Sequence, residues 1–294
     1  MNSMKAIRPL LLSLSLGASV AAWAAPETPA TPSVEVQQIR NATVKIDFSG
    51  TTFLVDPMLS PKATYPGFEG TYHSELRNPL VDLPLTVKEV LSSVEAVVVT
   101  HTHLDHWDDA AQQLIPKNLP VFVQNEADAK TIRGQGFQDV RVLKNGTQFN
   151  GVTLNRTGGQ HGSDLLYADS ARAEFLGPVM GVVFSAPKAK TVYVAGDTVW
   201  RPEVDEALKQ HQPDVVILNT GSALITGFEQ HPIIMGKQDT LQAYKAAPKA
   251  AIIAVHMDAV NHMSLSRKEL GAFVQEHKIQ DRVMIPADGE SLKF

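Results

Sequence analysis

Apolar runs of four to six residues recur along the chain, separated by turn residues and by stretches with helical spacing. The β-branched runs predict strands over Val44–Phe48 and Thr52–Val55, joined by a hairpin turn at Ser49-Gly50. The same pattern predicts strands over Ala96–Thr100, Val121–Gln124, Val140–Leu143 and Val152–Asn155. Further strands are expected over Met180–Ser185, Thr191–Ala195, Val215–Asn219 and Ala251–His256. Helical spacing covers Asp108–Ile115, stopped by Pro116, and Glu126–Gly134. It returns over Pro202–Gln210, with a proline suited to the first turn, and over Lys237–Ala247. A last helix, Ser266–Lys278, opens on a capping box formed by Ser266 and Glu269.

The order is strands first, then alternating strands and helices, twice over. It predicts an α/β protein with two facing sheets and helices outside, as one αββα domain over residues 34–294. No linker interrupts that span. The segment Ser60–Pro84 is rich in Pro, Gly and aromatics and lacks a period. It reads as a long loop that could wall a pocket.

The first residues follow a different logic. Lys5 and Arg8 precede the apolar stretch Leu10–Ala18, and Ala22-Trp23-Ala24 fits a small-x-small cleavage site. This order predicts a secretory signal peptide over 1–24, and hence a periplasmic or secreted destination. The apolar stretch is too short for a membrane span, so no stable membrane anchor is expected after cleavage. Residues 25–33 alternate proline with small residues and read as a flexible leader.

Composition narrows the chemistry. The chain has no cysteine. Disulfides, a thiol nucleophile and a lipoprotein anchor are therefore excluded, and any metal must be held by nitrogen and oxygen. The 26 basic residues against 31 acidic give a net charge of −5. No basic cluster suggests nucleic-acid binding, so a small-molecule or lipid-like substrate is the expected partner.

The candidate chemistry lies after the Ala96–Thr100 run. His101-Thr102-His103-Leu104-Asp105-His106-Trp107 places three imidazoles and a carboxylate within six positions. In a tight loop, His101 and His103 can converge on one ion, with Asp105 and His106 close enough to serve a second. His161 lies in Gly158-Gly159-Gln160-His161-Gly162, Asp197 follows a strand in Ala195-Gly196-Asp197, and His256 ends an apolar run. Taken singly, His161 and His256 could be structural, and Asp197 could cap a helix. Together with the 101–106 run, ligation accounts for all of them. Two ions about 3.5–4 Å apart suit hydrolysis, by activating a water and polarising a carbonyl or phosphoryl oxygen. Zinc suits the mixed imidazole and carboxylate set, and manganese or iron has the same ligand chemistry. No GxSxG sequence supports a Ser-His-Asp alternative.

The run His101–His106 is an HxHxDH motif and resembles that of the metallo-β-lactamase-fold hydrolases. His161, Asp197 and His256 resemble the later ligands in their usual order. Gly196-Asp197-Thr198, Asn219-Thr220-Gly221 and the segment from His256 to His262 are similar to one branch. That branch contains L-ascorbate-6-phosphate lactonase and N-acyl-phosphatidylethanolamine phospholipase D. The resemblance implies a four-layer αββα fold with two facing mixed sheets. It implies two divalent ions, with His101, His103 and His161 on the first, and Asp105, His106 and His256 on the second. Asp197 would bridge them, beside a shared water or hydroxide. Asp105 and Asp197 would fix that nucleophile, and one of them could shuttle a proton. The fold does not determine the substrate. Ester or lactone hydrolysis is expected first, phosphodiester hydrolysis of a phospholipid or small organophosphate second, and metal or ligand binding without turnover third. The secretory leader is absent from the cytoplasmic sugar-phosphate lactonases, which sets ascorbate 6-phosphate aside.

Around the ligands, Asn219 could line the pocket mouth or bond backbone. His231 could face substrate or lie in a surface loop. His262 could assist a leaving group or support His256, a role for which Asp258 competes. Trp107 is the foremost candidate for an apolar wall, ahead of Tyr65, Phe68, Tyr72, Phe175 and Trp200, with core packing as the alternative for each. The segment Arg172–Pro178 could form a rim.

Overall fold

A computed structural model describes Met1 and residues 34–294. The signal-peptide and leader expectations for residues 1–33 lie outside the described residues, Met1 apart. No helix among the described residues is long and apolar enough to cross a membrane.

The first half of the fold carries β1 (Val34–Arg40), β2 (Thr43–Phe48), β3 (Thr51–Val55), α1 (Val87–Leu91), β4 (Ala96–Val99), α2 (Asp109–Leu114), β5 (Val121–Val123), α3 (Glu126–Gly134) and β6 (Val140–Val142). The second half runs through β7 (Thr147–Phe149), β8 (Val152–Thr157), α4 (Asp164–Tyr167), α5 (Ser170–Leu176), β9 (Gly181–Ser185), β10 (Val192–Val194), α6 (Pro202–His211), β11 (Val215–Asn219), α7 (Lys237–Ala246), β12 (Ala251–Val255), α8 (Arg267–Glu276) and β13 (Val283–Met284). A last strand, β14 (Ser291–Lys293), returns to the edge of the first sheet. Each sheet has seven strands, in the orders β14-β1-β2-β3-β4-β5-β6 and β13-β12-β11-β10-β9-β8-β7. Both mix antiparallel hairpins with a parallel block: β3-β4-β5-β6 in the first, β10-β11-β12-β13 in the second. The expected α/β fold of two facing mixed sheets with flanking helices is what the structure shows.

The period-two register explains the layers. In β4, Ala96 and Val98 enter the core between the sheets, while Val97 and Val99 enter the core under the helices. In β11, Val215 and Ile217 face the central core and Val216 and Leu218 the other side. Strands buried on both faces read as continuous apolar runs. Phe53 and Phe184 join the sheets edge to face, with ring centroids 5.0 Å apart.

Local signals hold as well. Ser49 (φ 53°) and Gly50 (φ 83°) make the β2–β3 turn, both left-handed as such a hairpin requires. The Ser266 hydroxyl accepts from Glu269 N, and the Glu269 carboxylate accepts from Ser266 N, closing the expected capping box. Several elements were not anticipated. β7 and β14 are short edge strands of mostly exposed or half-buried residues, so apolar content does not mark them. β1 alternates in its first half but carries Gln37, Gln38 and Arg40 in the second, which dilutes its pattern. α5 falls in the Arg172–Pro178 rim segment and is started by Asp169, whose side chain accepts from Arg172 N.

Candidate metal centre

β3 and β4 run parallel to each other in the first sheet and β10, β11 and β12 in the second, and their carboxyl ends carry Asp56, His101, Asp197, Asn219 and His256. Past β4 the chain turns tightly. The backbone N–H groups of His106 and Trp107 both donate to His103 O, at 2.9 and 2.8 Å. This turn gathers His103, Asp105 and His106 beside His101. Trp107 anchors it from behind. Its ring is 1% exposed, packs on Phe137 and donates from Nε1 to Gln135 Oε1 at 2.8 Å. Trp107 is thus a core residue and not the pocket wall expected of it, because the turn points it away from its neighbours. Gly196 (φ 69°) places Asp197, and a β-carbon there would collide with Met180 O.

The seven expected ligands come together. His101, His103 and His161 form one group of converging ligand atoms; Asp105, His106 and His256 form another. A third group, His101, His106 and Asp197, joins the two. Asp197 Oδ2 is the hub. It lies 3.1 Å from His106 Nε2, 3.5 Å from His161 Nε2 and His256 Nε2, and 4.0 Å from His101 Nε2. Its other oxygen accepts from Asn219 Nδ2 at 2.6 Å. Asn219 therefore stands behind Asp197 and not at the pocket mouth.

Four of the five imidazoles have a partner on the ring nitrogen turned away from the cluster. His106 Nδ1 donates to Asp56 Oδ2 at 2.9 Å and His161 Nδ1 to Ile233 O at 2.8 Å. His103 Nε2 donates to Phe175 O at 3.0 Å, and His101 Nδ1 lies 3.2 Å from Thr100 Oγ1. Such partners fix ring tautomer and aim. His256 Nδ1 has no partner among the described residues. Neither expected supporter reaches it: Asp258 accepts from Arg267 N, and His262 turns to the cavity.

The electrostatics fit a cationic occupant. Burial pushes His161 down to about 4, and burial with neighbouring imidazoles holds His101 well below the ordinary histidine range. Burial also lowers His103. These rings present lone pairs at neutral pH. Burial opposes charge on His106, but Asp197, Asp105 and Asp56 outweigh it and raise that ring well above the usual value. Burial likewise opposes charge on Asp197, and His106 and His256 outweigh it, holding the carboxyl well below its usual range. Asp105 is lowered in the same balance against burial by His106 and His256. Asp105 Oδ2 is buried without a hydrogen-bond partner among the described residues. An unpaired buried carboxylate oxygen is costly, and a divalent cation at this position satisfies it. The nitrogen and oxygen donor set suits zinc, manganese or iron.

A family model described as the beta-lactamase superfamily domain matches residues 51–257, which contain all seven residues. The chain belongs to the metallo-β-lactamase-fold superfamily. Within it, this is a metal-dependent hydrolase. It is similar to the UPF0173 protein YddR of Bacillus subtilis (strain 168), 44% identical over 89% of this chain and 100% of that one. A solved structure of a possible metal-dependent hydrolase from Veillonella parvula is 52% identical, with a TM-score of 0.87, over 88% of this chain and 98% of that one. The isothiocyanate hydrolase from Delia radicum gut bacteria is 48% identical, with a TM-score of 0.85, over 88% and 99%.

A cavity of about 340 Å³ opens over the cluster at His103, Asp105 and His161. Phe68, Leu104, Phe175 and Ile233 supply apolar walls, and Glu69, Thr71 and His262 the remaining polar lining. The Ser60–Pro84 loop and the 172–178 segment thus form walls as expected, through Phe68 and Phe175. His262 Nδ1 is buried without a partner among the described residues, and its ring meets the Phe68 ring edge-on at 5.1 Å. His231 is half-buried and does not line this cavity. Nor do Tyr65, Tyr72 and Trp200. The Tyr65 hydroxyl lies 2.6 Å from Ser60 Oγ, Tyr72 lines a separate cleft, and Trp200 packs beside α6 and donates to Asp205.

Two positions at the site were not found in the sequence. Asp56 orients His106 from the end of β3, and its only local signal is a carboxylate between a strand and Pro57. Glu69 has no motif at all.

Proposed function

We propose that this chain hydrolyses small uncharged substrates at an electrophilic carbon, with isothiocyanates, R–N=C=S, as the substrate class. The observation that carries this reading is the lining of the cavity. Apolar and aromatic walls stand over the ligand cluster, Glu69 adds a negative charge, and no Lys or Arg is among the described lining residues. Such a pocket favours a neutral, partly apolar molecule and disfavours an anionic one. The likeness to an isothiocyanate hydrolase over nearly the full length of both described chains supports the choice of class.

The reaction balances as R–N=C=S plus water giving R–NH₂ plus carbonyl sulfide. The water oxygen bonds to the central carbon, the carbon–nitrogen bond breaks, and both water protons end on nitrogen. Two divalent ions, held by His101, His103 and His161 and by Asp105, His106 and His256 with Asp197 between, would supply an activated water and a Lewis acid. Asn219 holds Asp197 so that only Oδ2 faces the cluster. Asp105 and Asp197 would fix the attacking water from their places among the ligands. His262 lines the cavity wall and would stand beside the organic group of the substrate. Phe68 and Phe175 give the departing amine an apolar border.

Ester or lactone hydrolysis is the second reading, since the same neutral cavity admits a carbonyl carbon. A phosphodiester would bring an anion past Glu69 with no Lys or Arg among the described lining residues to receive it.

The test is turnover by zinc- and manganese-loaded protein on benzyl isothiocyanate, a γ-lactone, p-nitrophenyl acetate and bis-p-nitrophenyl phosphate. The isothiocyanate should be the preferred substrate. Ester or lactone turnover without isothiocyanate turnover would move the assignment to the second reading. Turnover of the phosphodiester alone would overturn both.

A further inference from the structure

One buried amide ties the cavity wall to the loop that carries His262. Asn261 is 2% exposed and uses all four of its side-chain hydrogen-bonding positions. Its Oδ1 accepts from Phe68 N at 3.1 Å and from Asn78 Nδ2 at 2.7 Å. Its Nδ2 donates to Thr71 Oγ1 at 2.9 Å and to Tyr72 O at 2.7 Å. Its own backbone N–H donates to Asn78 Oδ1 at 2.8 Å. Every partner lies on the Ser60–Pro84 loop, far away in sequence. Two of them, Phe68 and Thr71, line the cavity, and the residue after Asn261 is His262, which lines it from the other side. The Phe68 and His262 rings touch edge to face.

We propose that Asn261 is a positioning residue that sets the Phe68–His262 pair and thereby the selectivity of the cavity for the organic group of the substrate. This rests on the reading that the cavity receives that group. The loop has almost no regular structure of its own, so its placement depends on such long-range bonds. A fully satisfied buried network holds one arrangement, and losing a member releases the groups it fixed. Asn261 touches neither the ligand cluster nor the cavity space and acts only through the residues it holds. Aspartate has nearly the same shape, but it cannot donate to Thr71 Oγ1 and sets a carboxylate against Tyr72 O.

The experiment compares the kcat/KM ratio for benzyl against methyl isothiocyanate in wild type and Asn261→Asp, with metal content and melting temperature read on the same samples. The expected result is a fall in the benzyl-to-methyl ratio of about tenfold, with the wild-type metal content retained, because small misplacements of a binding wall are costly to a well-fitted substrate. A folded, metal-loaded variant with an unchanged ratio would overturn the proposal. Should Asn261→Asp fail to fold, Asn78→Ala removes the Asn78 arm at a residue outside the cavity lining, and an unchanged ratio there would overturn it equally. If the wild type turns over neither isothiocyanate, the substrate class falls and not the role of Asn261. The same ratio is then read on benzyl- and methyl-bearing esters.

Discussion

Asp56 Oδ2 accepts a hydrogen bond from His106 Nδ1 at 2.9 Å, and the same carboxylate accepts from Thr100 N and Thr100 Oγ1, both at 2.7 Å. With Nδ1 donating, the His106 ring is held so that Nε2 is aimed toward Asp197 and His256. Asn at position 56 would set an amide N–H₂ against donors on one side. Asp56→Asn should therefore weaken metal binding by about 10–100-fold. Metal titration against a competing chelator checks this, and an unchanged affinity would remove Asp56 from the site.

Trp107 belongs to the core, so its substitution should act on stability. Trp107→Ala should cost about 3–5 kcal/mol in urea unfolding. Trp107→Phe keeps the packing against Phe137 and loses the bond to Gln135, at about 1 kcal/mol. Equal stability of the two variants would contradict this placement.

Much of the centre was legible because ligand residues must follow strand ends, and apolar runs mark strand ends well. His101, His103, Asp105 and His106 stand together in the sequence, while His161, Asp197 and His256 follow a glycine loop or strand ends. What was not legible depends on which way a side chain turns. Trp107 and Asp105 are two apart, yet the turn closed on His103 O sends one to the core and the other to the cavity. Asn219 and His231 both stood as candidate mouth residues; only the parallel pairing of β10 and β11 puts the first behind Asp197. Asp56 and Asn261 act over long sequence separations that no local pattern encodes.

Burial pushes His262 down to about 4, against an ordinary value near 6.5. Between those values the unfolded chain holds a proton on this ring that the folded chain does not. Its contribution to stability is full above about pH 6.5 and declines as pH falls toward 4. His161 behaves in the same way in metal-free protein. Urea unfolding of metal-free protein should show stability falling with pH across that window, and His262→Gln should make the slope shallower by up to one proton. Identical slopes would place His262 in water.

Chelation should lower the melting temperature and zinc should restore it. The cluster buries Asp105 and Asp197 among desolvated imidazoles, and an ion that binds only the folded chain adds about 2.7 kcal/mol at a hundredfold excess over Kd. Scanning calorimetry with and without chelator is the check, and coincident transitions would argue against a cation here.

Glu69 is an exposed acidic residue of the cavity lining. Glu69→Gln should raise kcat/KM for an ester bearing a carboxylate tail by about fivefold at low salt, and less at high salt, as expected of one exposed charge. Equal gains on neutral and anionic esters would show that Glu69 acts by shape.

Metal stoichiometry of the purified chain decides whether the ligands around Asp197 Oδ2 hold the proposed pair of ions. Close to two equivalents of divalent metal per chain are expected, falling when His103→Ala or His256→Ala removes a ligand. Fewer than one equivalent of tightly bound metal in the wild type would rule out a two-metal centre.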